Sequence, residues 1–269
     1  MKKFGMTLAE VLVTLAIVGV VAAVSLPNLI VNAQVTELES HFRKTMNDLD
    51  SFSKIFLQET SMNVPLYTSI NGVASFYNEF PKYMAKSTKT SNWTHANSST
   101  VAIPYQLKSL TDAMGASRSV DSLGSNNDVS ICDATGFIED GNGRVFWFDD
   151  APLRGFNGPR VCVDINGKKK PNTYGLDVFS FLFTTDGSII PEGMYHKNSN
   201  VTDEVYNFDD QVGYAWKSGT ATGEKNCYDS AYGQTCAHYA NLDVNPRNSK
   251  QSYWKDFVGK KQYLIKDPL

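Results

Sequence analysis

Two hydrophobic patterns follow one another along the first sixty residues. Residues 6–26, MTLAEVLVTLAIVGVVAAVSL, form an apolar run carrying one charge, Glu10, and preceded by Lys2 and Lys3. As a helix these 21 residues rise roughly 31 Å, the thickness of a bilayer's hydrocarbon core. Pro27 then removes a backbone donor and favours a kink or break. Beyond it Val31, Val35, Leu38, Phe42, Met46, Leu49, Phe52 and Phe56 recur every three or four residues. Glu37, Glu39, Arg43, Lys44, Asp48 and Asp50 occupy the opposite face, with Glu39–Arg43 and Lys44–Asp48 spaced as i,i+4 ion pairs. The spacing predicts an amphipathic helix over 28–58, continuous or kinked with the apolar run over 6–27. Its stripe should wall the core of a globular head spanning 59–269.

After Thr60 the pattern shortens to brief apolar runs between Asn, Ser, Gly and Asp. Residues 85–100 are polar and read as an exposed loop. GFIEDGNGRVFWF reads as a hairpin turning at Asp140-Gly141-Asn142-Gly143. RVCVDING and DVFSFLFTTDGSII supply three more strands, with turns at Asn166-Gly167 and Asp186-Gly187. No βαβ alternation appears, so the expected fold class is α+β, a long helix on a mostly antiparallel sheet. Residues 192–269 are rich in Tyr, Asn and Trp and show no clear period.

The composition, 42% hydrophobic and 20% charged, is that of a folded globular chain and excludes a disordered one. A net charge of −3 gives no broad basic surface, so nucleic acid is not an expected partner. Lys168-Lys169-Lys170 reads as a solvated loop. All four cysteines, Cys132, Cys162, Cys227 and Cys236, lie beyond the apolar run, without a C-x-x-C pair or zinc spacing. An even count there suggests an oxidising compartment and two disulfides. Of three connectivities, Cys132–Cys162 with Cys227–Cys236 is favoured because each closes a local segment; unpaired buried thiols are the alternative.

The chemistry centres on Glu10. The lysines before the run and the lack of a basic cluster after it place the N-terminus in the cytoplasm and the head outside. A secretory signal peptide, ending near Ala22, Ala23 and Ser25, accounts for that arrangement, and so does a plain signal anchor. Neither accounts for a carboxylate inside the run, where a charge costs roughly 2.5–3.5 kcal/mol at mid-membrane. The stretch Gly5-Met6-Thr7-Leu8-Ala9-Glu10-Val11, after a short basic leader and before Pro27, closely resembles the processing motif of type IV prepilins and type II secretion pseudopilins. Met6 is a mild departure, since the family most often has Phe after the cut.

The resemblance implies a leader over 1–5, cleavage between Gly5 and Met6 by a prepilin peptidase, and methylation of the new amino terminus. It implies that Glu10 neutralises the terminal amine of a neighbouring subunit, a register device, because an offset that leaves it unpaired strands a charge. It further implies a single-pass subunit of the bacterial inner membrane that passes into a pilus or pseudopilus filament. The implied partners are an assembly platform and other pilin subunits, with Gly19 and Pro27 as points where the helix loosens. The length of 269 residues exceeds that of typical major pilins, which favours a minor, tip or specialised subunit. Glu10 argues against the pseudopilin that caps the filament, which generally lacks the glutamate.

Against an enzyme, the chain has no G-x-S-x-G, H-E-x-x-H, P-loop or G-x-G-x-x-G motif. His41, His95, His196 and His238 are scattered and read as surface residues. Matches to the glycosylation sequon at Asn92, Asn97 and Asn200 read as chance. No cofactor is required. Calcium is a weak candidate at Asp164, Asn166 and Asp177, oxygen side chains on a Gly/Pro-rich loop, although three lysines interrupt it and turn capping explains the same residues. A membrane-anchored binding or adhesion module that does not polymerise is the alternative to a filament subunit.

Overall fold

In the computed structural model, described for residues 7–84, 86–89, 105, 107, 132, 136–149, 151, 157–192, 227 and 236–260, one helix organises the rest. Helix α1 runs Leu8–Thr60, 53 residues, without a break at Pro27. At 1.5 Å per residue it is roughly 80 Å long. Pro27 has no N–H to give the Ala23 carbonyl, and the helix runs through it with that bond missing. Of residues 8–30 all are exposed except Ala22, which is half-buried. From Val31 onward one face is buried: Val31, Val35, Leu38, Phe42, Thr45, Leu49, Phe52, Ser53 and Phe56. Every apolar residue of the expected stripe is among them but Met46, which packs at its margin.

The chain turns at Ser61, whose φ is 56°, into two short helices. Asn63 caps α2 (Val64–Asn71), its Oδ1 accepting the Leu66 N–H at 2.8 Å. Helix α3 (Val73–Glu79) continues into a 3₁₀ turn over Phe80–Lys82. Together they bring Phe76, Tyr77 and Phe80 into the core. The Phe52 and Phe80 rings meet edge-on, with centroids 4.7 Å apart.

Among the described residues six strands follow in chain order: β1 (Thr88–Lys89), β2 (Ile138–Glu139), β3 (Val145–Phe148), β4 (Arg160–Asp164), β5 (Val178–Phe183) and β6 (Ile189–Pro191). Each pairs antiparallel with the next, forming a meander. Alternation along the strands sends Phe146, Phe148, Val161, Val163, Phe179, Phe181 and Phe183 toward the α1 stripe. Val145, Trp147, Cys162 and Val178 point the other way and pack with Leu107, Cys132, Phe137 and Tyr174. Both sheet faces are therefore covered. Part of 85–100, expected as loop, contributes the two-residue edge strand β1.

Helix α4 (Cys236–Leu242) and a π-helical turn (Tyr253–Val258) complete the core. The Trp254 ring lies tilted against Phe42, with centroids 5.6 Å apart, and donates its indole N–H to the Ala240 carbonyl at 3.1 Å. These elements lay in the stretch without visible period.

Buried arginines fasten the parts. Arg144 lies between Asp140 (2.6 Å) and Asp48 of α1 (2.7 Å), and its Nη1 donates to Thr45 at 3.2 Å. Asp48 thus serves the hairpin rather than Lys44, which donates instead to Asn142 at 3.0 Å; the expected Lys44–Asp48 pair is replaced. A cation in the core has the stronger claim on a nearby carboxylate than a solvated lysine has. Glu39 and Arg43 do pair, at 2.9 Å on the surface. Arg160, 1% exposed, binds both Glu192 oxygens at 2.8 Å and Asp149 at 2.6 Å, joining β4 to the ends of β3 and β6.

Removing that cation leaves two carboxylates in the core without their partner. Arg160→Ala is expected to lower the unfolding free energy of the detergent-solubilised chain by ~3–5 kcal/mol. Arg43→Ala, at an exposed pair, should cost about 0.5 kcal/mol or less. Urea unfolding of both variants checks the contrast; equal losses would mean that the Arg160 network does not hold the sheet.

Candidate functional site

The N-terminal end of α1 is built around Thr7 and Glu10. Four N–H groups at a helix start lack internal partners. Thr7, extended at φ −78° and ψ 154°, accepts the Glu10 N–H on its hydroxyl at 3.3 Å. Glu10 Oε2 accepts the Thr7 N–H at 2.8 Å and the Thr7 hydroxyl at 2.9 Å. This is a reciprocal capping box, and its T-x-x-E signature lies in the sequence at 7–10, within the stretch that resembles a processing motif. The box gives the exposed carboxylate a partner within its own chain. Gly5 and Met6 lie outside the described residues.

Around Glu10, α1 presents apolar side chains on all sides, from Leu8 at 78% exposure to Ile30 at 56%. The helix is long and apolar enough to cross a membrane, with a mean hydropathy of 2.4 over its most apolar window. A Cβ built at Gly19 meets nothing within 4 Å, so no packing among the described residues requires glycine there.

The second candidate constellation lies in the β4–β5 loop, where the structure brings Asp164 and Asp177 together, both fully buried. Asp164 accepts the Asn166 N–H at 3.3 Å and the Tyr105 hydroxyl at 2.9 Å. Asp177 accepts the N–H groups of Asn172 at 2.8 Å and Thr173 at 2.6 Å. These bonds shape the loop, in the manner of turn capping. Burial, with the like charge of Asp177 next, pushes the Asp164 carboxyl well up from the usual range. Burial pushes Asp177 up to about 7. Burial and the facing Asp164 carboxylate raise the Tyr105 phenol. Asn166 Oδ1 is buried without a hydrogen-bond partner. Nothing in the pattern around Tyr105 marked it as a neighbour of the pair, since 59 residues separate it from Asp164.

The cysteines join as Cys132–Cys162 and Cys227–Cys236. The first fastens residue 132 to β4 on the outer sheet face, and the second packs on Gly175. That glycine has φ +79°, and a Cβ there would come 2.7 Å from Cys236 Sγ. His41 Nδ1 lies 3.1 Å from the Ile165 carbonyl, a contact between helix and sheet. His238 is half-buried on α4, while His95, His196 and the three sequons lie outside the described residues. Among the described residues no three His, Cys, Asp or Glu side chains gather as a metal cluster.

Comparison with known proteins bears on the first of these two places. Residues 1–26 match the family described as the prokaryotic N-terminal methylation motif. No curated protein and no solved structure matches the chain. The matched segment covers Lys2, Lys3, Gly5, Met6, Glu10 and the apolar half of α1 up to Leu26. The chain carries a prokaryotic N-terminal methylation motif, the type IV prepilin-like signal, at the head of a helix that runs on into its globular core.

Proposed function

We propose that this chain is a structural subunit of a type IV pilus or type II secretion pseudopilus, cut after Gly5 by a prepilin peptidase and assembled through α1. The observation that carries the reading is the division of one helix. Its first half exposes apolar side chains throughout and bears a single carboxylate, while its second half is locked into the head. An all-round apolar helix needs lipid or other helices around it. The head stays outside the cytoplasm, where its disulfides persist. The chain's role is mechanical, with subunits packing helix to helix, and Glu10 pairs with a neighbour's terminal amine in a low-dielectric filament. The exposed space at Gly19 and the missing bond at Pro27 are where the helix yields on assembly.

One observation favours a second reading, a membrane-anchored binding or adhesion module that never polymerises. The capping box already supplies Glu10 with partners inside its own chain. Glu10→Gln separates the two. In a filament subunit the variant is processed to a chain beginning at methylated Met6, stays in the membrane, and its incorporation into sheared filaments falls at least tenfold. Unchanged incorporation removes Glu10 from assembly. A wild-type chain found only in the membrane, never in filaments, favours the tethered module.

The β4–β5 loop supports a subsidiary proposal, calcium held by Asp164, Asn166 and Asp177. The donors are hard oxygens, and the buried Asn166 Oδ1 without a partner fits a cation. Bound there, calcium would neutralise two carboxylates that burial otherwise keeps from ionising together. Without it the pair must hold a proton, and the sign follows from linkage. Below about pH 4 the carboxyls are protonated in both folded and unfolded chains. As pH rises from there through about 7, the unfolded chain releases protons that the folded pair retains, so stability falls. With a chelator, Tm should therefore decline across that window, and calcium at pH 8 should restore it. Asp164→Asn should flatten the decline and abolish the calcium response. A wild-type Tm indifferent to calcium rules the ion out.

A further inference from the structure

The β2–β3 turn builds a socket around one arginine. Asp140 accepts the backbone N–H groups of Asn142 and Arg144, each at 2.9 Å. The same carboxylate takes the Arg144 side chain at Nε (2.8 Å) and Nη2 (2.6 Å). The guanidinium is thus held from within its own hairpin, 5.3 Å from the centre of the Phe146 ring. It also reaches across to α1, to Asp48 at 2.7 Å and Thr45 at 3.2 Å. Beside it, Asn142 accepts from Lys44 of α1 at 3.0 Å. The β4–β5 turn butts against the same hairpin, because a Cβ at Gly167 would strike the Gly143 carbonyl.

The strands run along the helix rather than across it. Phe42 meets Phe179 with ring centroids 4.8 Å apart, and Phe52 meets Phe183 at 5.8 Å. Ten residues of α1 rise about 15 Å and four residues of β5 about 13 Å, so the two advance together. Strand β3 is parallel to β5, since each is antiparallel to β4. Past the far end of α1, the Asn63 amide donates to the Thr185 carbonyl at 2.7 Å. Helix and sheet therefore overlap side by side, as in a lap joint, and a pull on the exposed half of α1 loads their contact in shear. Apolar packing has little directionality and can slide. A charge-assisted hydrogen bond weakens steeply once its partners part or tilt, so it resists the start of any sliding. Equilibrium stability alone does not call for an arginine here, because apolar side chains of like volume often replace a buried ion pair without loss.

We propose that the Arg144 socket is a mechanical catch, which passes axial force between α1 and the sheet and keeps the helix from sliding out of the head. The inference rests on the first half of α1 being held outside the head, by lipid or by other helices, and holds whether or not the chain polymerises. The socket stays whole when the catch slips, because Asp140 and Arg144 belong to one hairpin. Only the bonds to Asp48 and Thr45 cross the joint.

The test pulls on single molecules of the full chain in detergent. All four native cysteines are in disulfides, so Ala33→Cys on the exposed side of α1 and Thr185→Cys at the far end of the sheet take the handles under non-reducing conditions. That pair of positions aligns the force with α1. Thr45→Val with Asp48→Ala cuts the α1 side of the catch and leaves Arg144 paired with Asp140. At a fixed force this variant should rupture at least about tenfold faster than the parent chain. Phe52→Leu, which thins ring packing in the same joint, should speed rupture less even where urea unfolding shows it to cost as much stability. Asp48→Asn keeps the side chain's shape and should give a smaller rise in the same direction, which keeps the proposal open to test if the double variant does not fold. Rupture rates that do not rise, or that rise in all variants only in proportion to their losses in urea, overturn the proposal.

Discussion

A single unbroken helix here has to be stable in two different surroundings, and the rest of the fold is arranged around that demand. Up to Ile30 the side chains of α1 are apolar on every side, suited to lipid or to other helices. From Val31 the apolar positions narrow to a stripe that a sheet can cover. The backbone does not change at the boundary. What changes is which face carries polar groups. Aromatic rings fill the covered side, with Phe42 4.8 Å from Phe179 and Phe52 meeting Phe80, Phe76 and Phe183. Such edge-on contacts add to simple burial and define a rotation of the helix about its axis.

Charged groups then decide where the helix sits along the sheet. Hydrophobic packing alone tolerates sliding, because one aromatic ring resembles the next. Arg144 does not tolerate it. Its guanidinium must reach Asp48 and Thr45 on α1 while it stays on Asp140 of the hairpin turn, and a shift of one turn would leave it buried and unmatched. Arg160 performs the same service within the sheet, and Tyr253 does so for the C-terminal segment by donating to the Gly175 carbonyl. The fixed axial position is what lets the exposed half of α1 project a defined distance from the head.

Legibility in the sequence followed the range of the interactions. The α1 stripe, the Asp140–Gly143 hairpin and the turns at Asn166-Gly167 and Asp186-Gly187 are local patterns, and they appear where the spacing placed them. Helices α2 and α3 are shorter than three turns, too brief for a period to emerge; their one local mark, Asn63 before Val64-Pro65, is a cap that the polar surroundings disguised. Lys44–Asp48 had the right spacing, yet the carboxylate went to an arginine 96 residues away in sequence, Arg144. Tyr105 joined Asp164 by the same kind of distant contact. At the candidate assembly site the carboxylate stood out at once because it broke an apolar run. Its local partner Thr7 did not, since a threonine next to such a run carries no contrast.

The order of the chain has a consequence for its synthesis. The sheet is a meander in which each strand pairs with its predecessor, so it can zip up locally as it emerges. The α1 stripe is different. Phe42 and Phe52 are made early, while their ring partners Phe179, Phe181 and Phe183 come well over a hundred residues later. At about 5–20 residues per second of translation, that apolar face waits many seconds for its cover. On the reading proposed above, anchorage through the first half of the same helix would hold the nascent chain at a surface and keep stripes from different chains apart. The segment proposed to anchor the protein would then also shelter its folding.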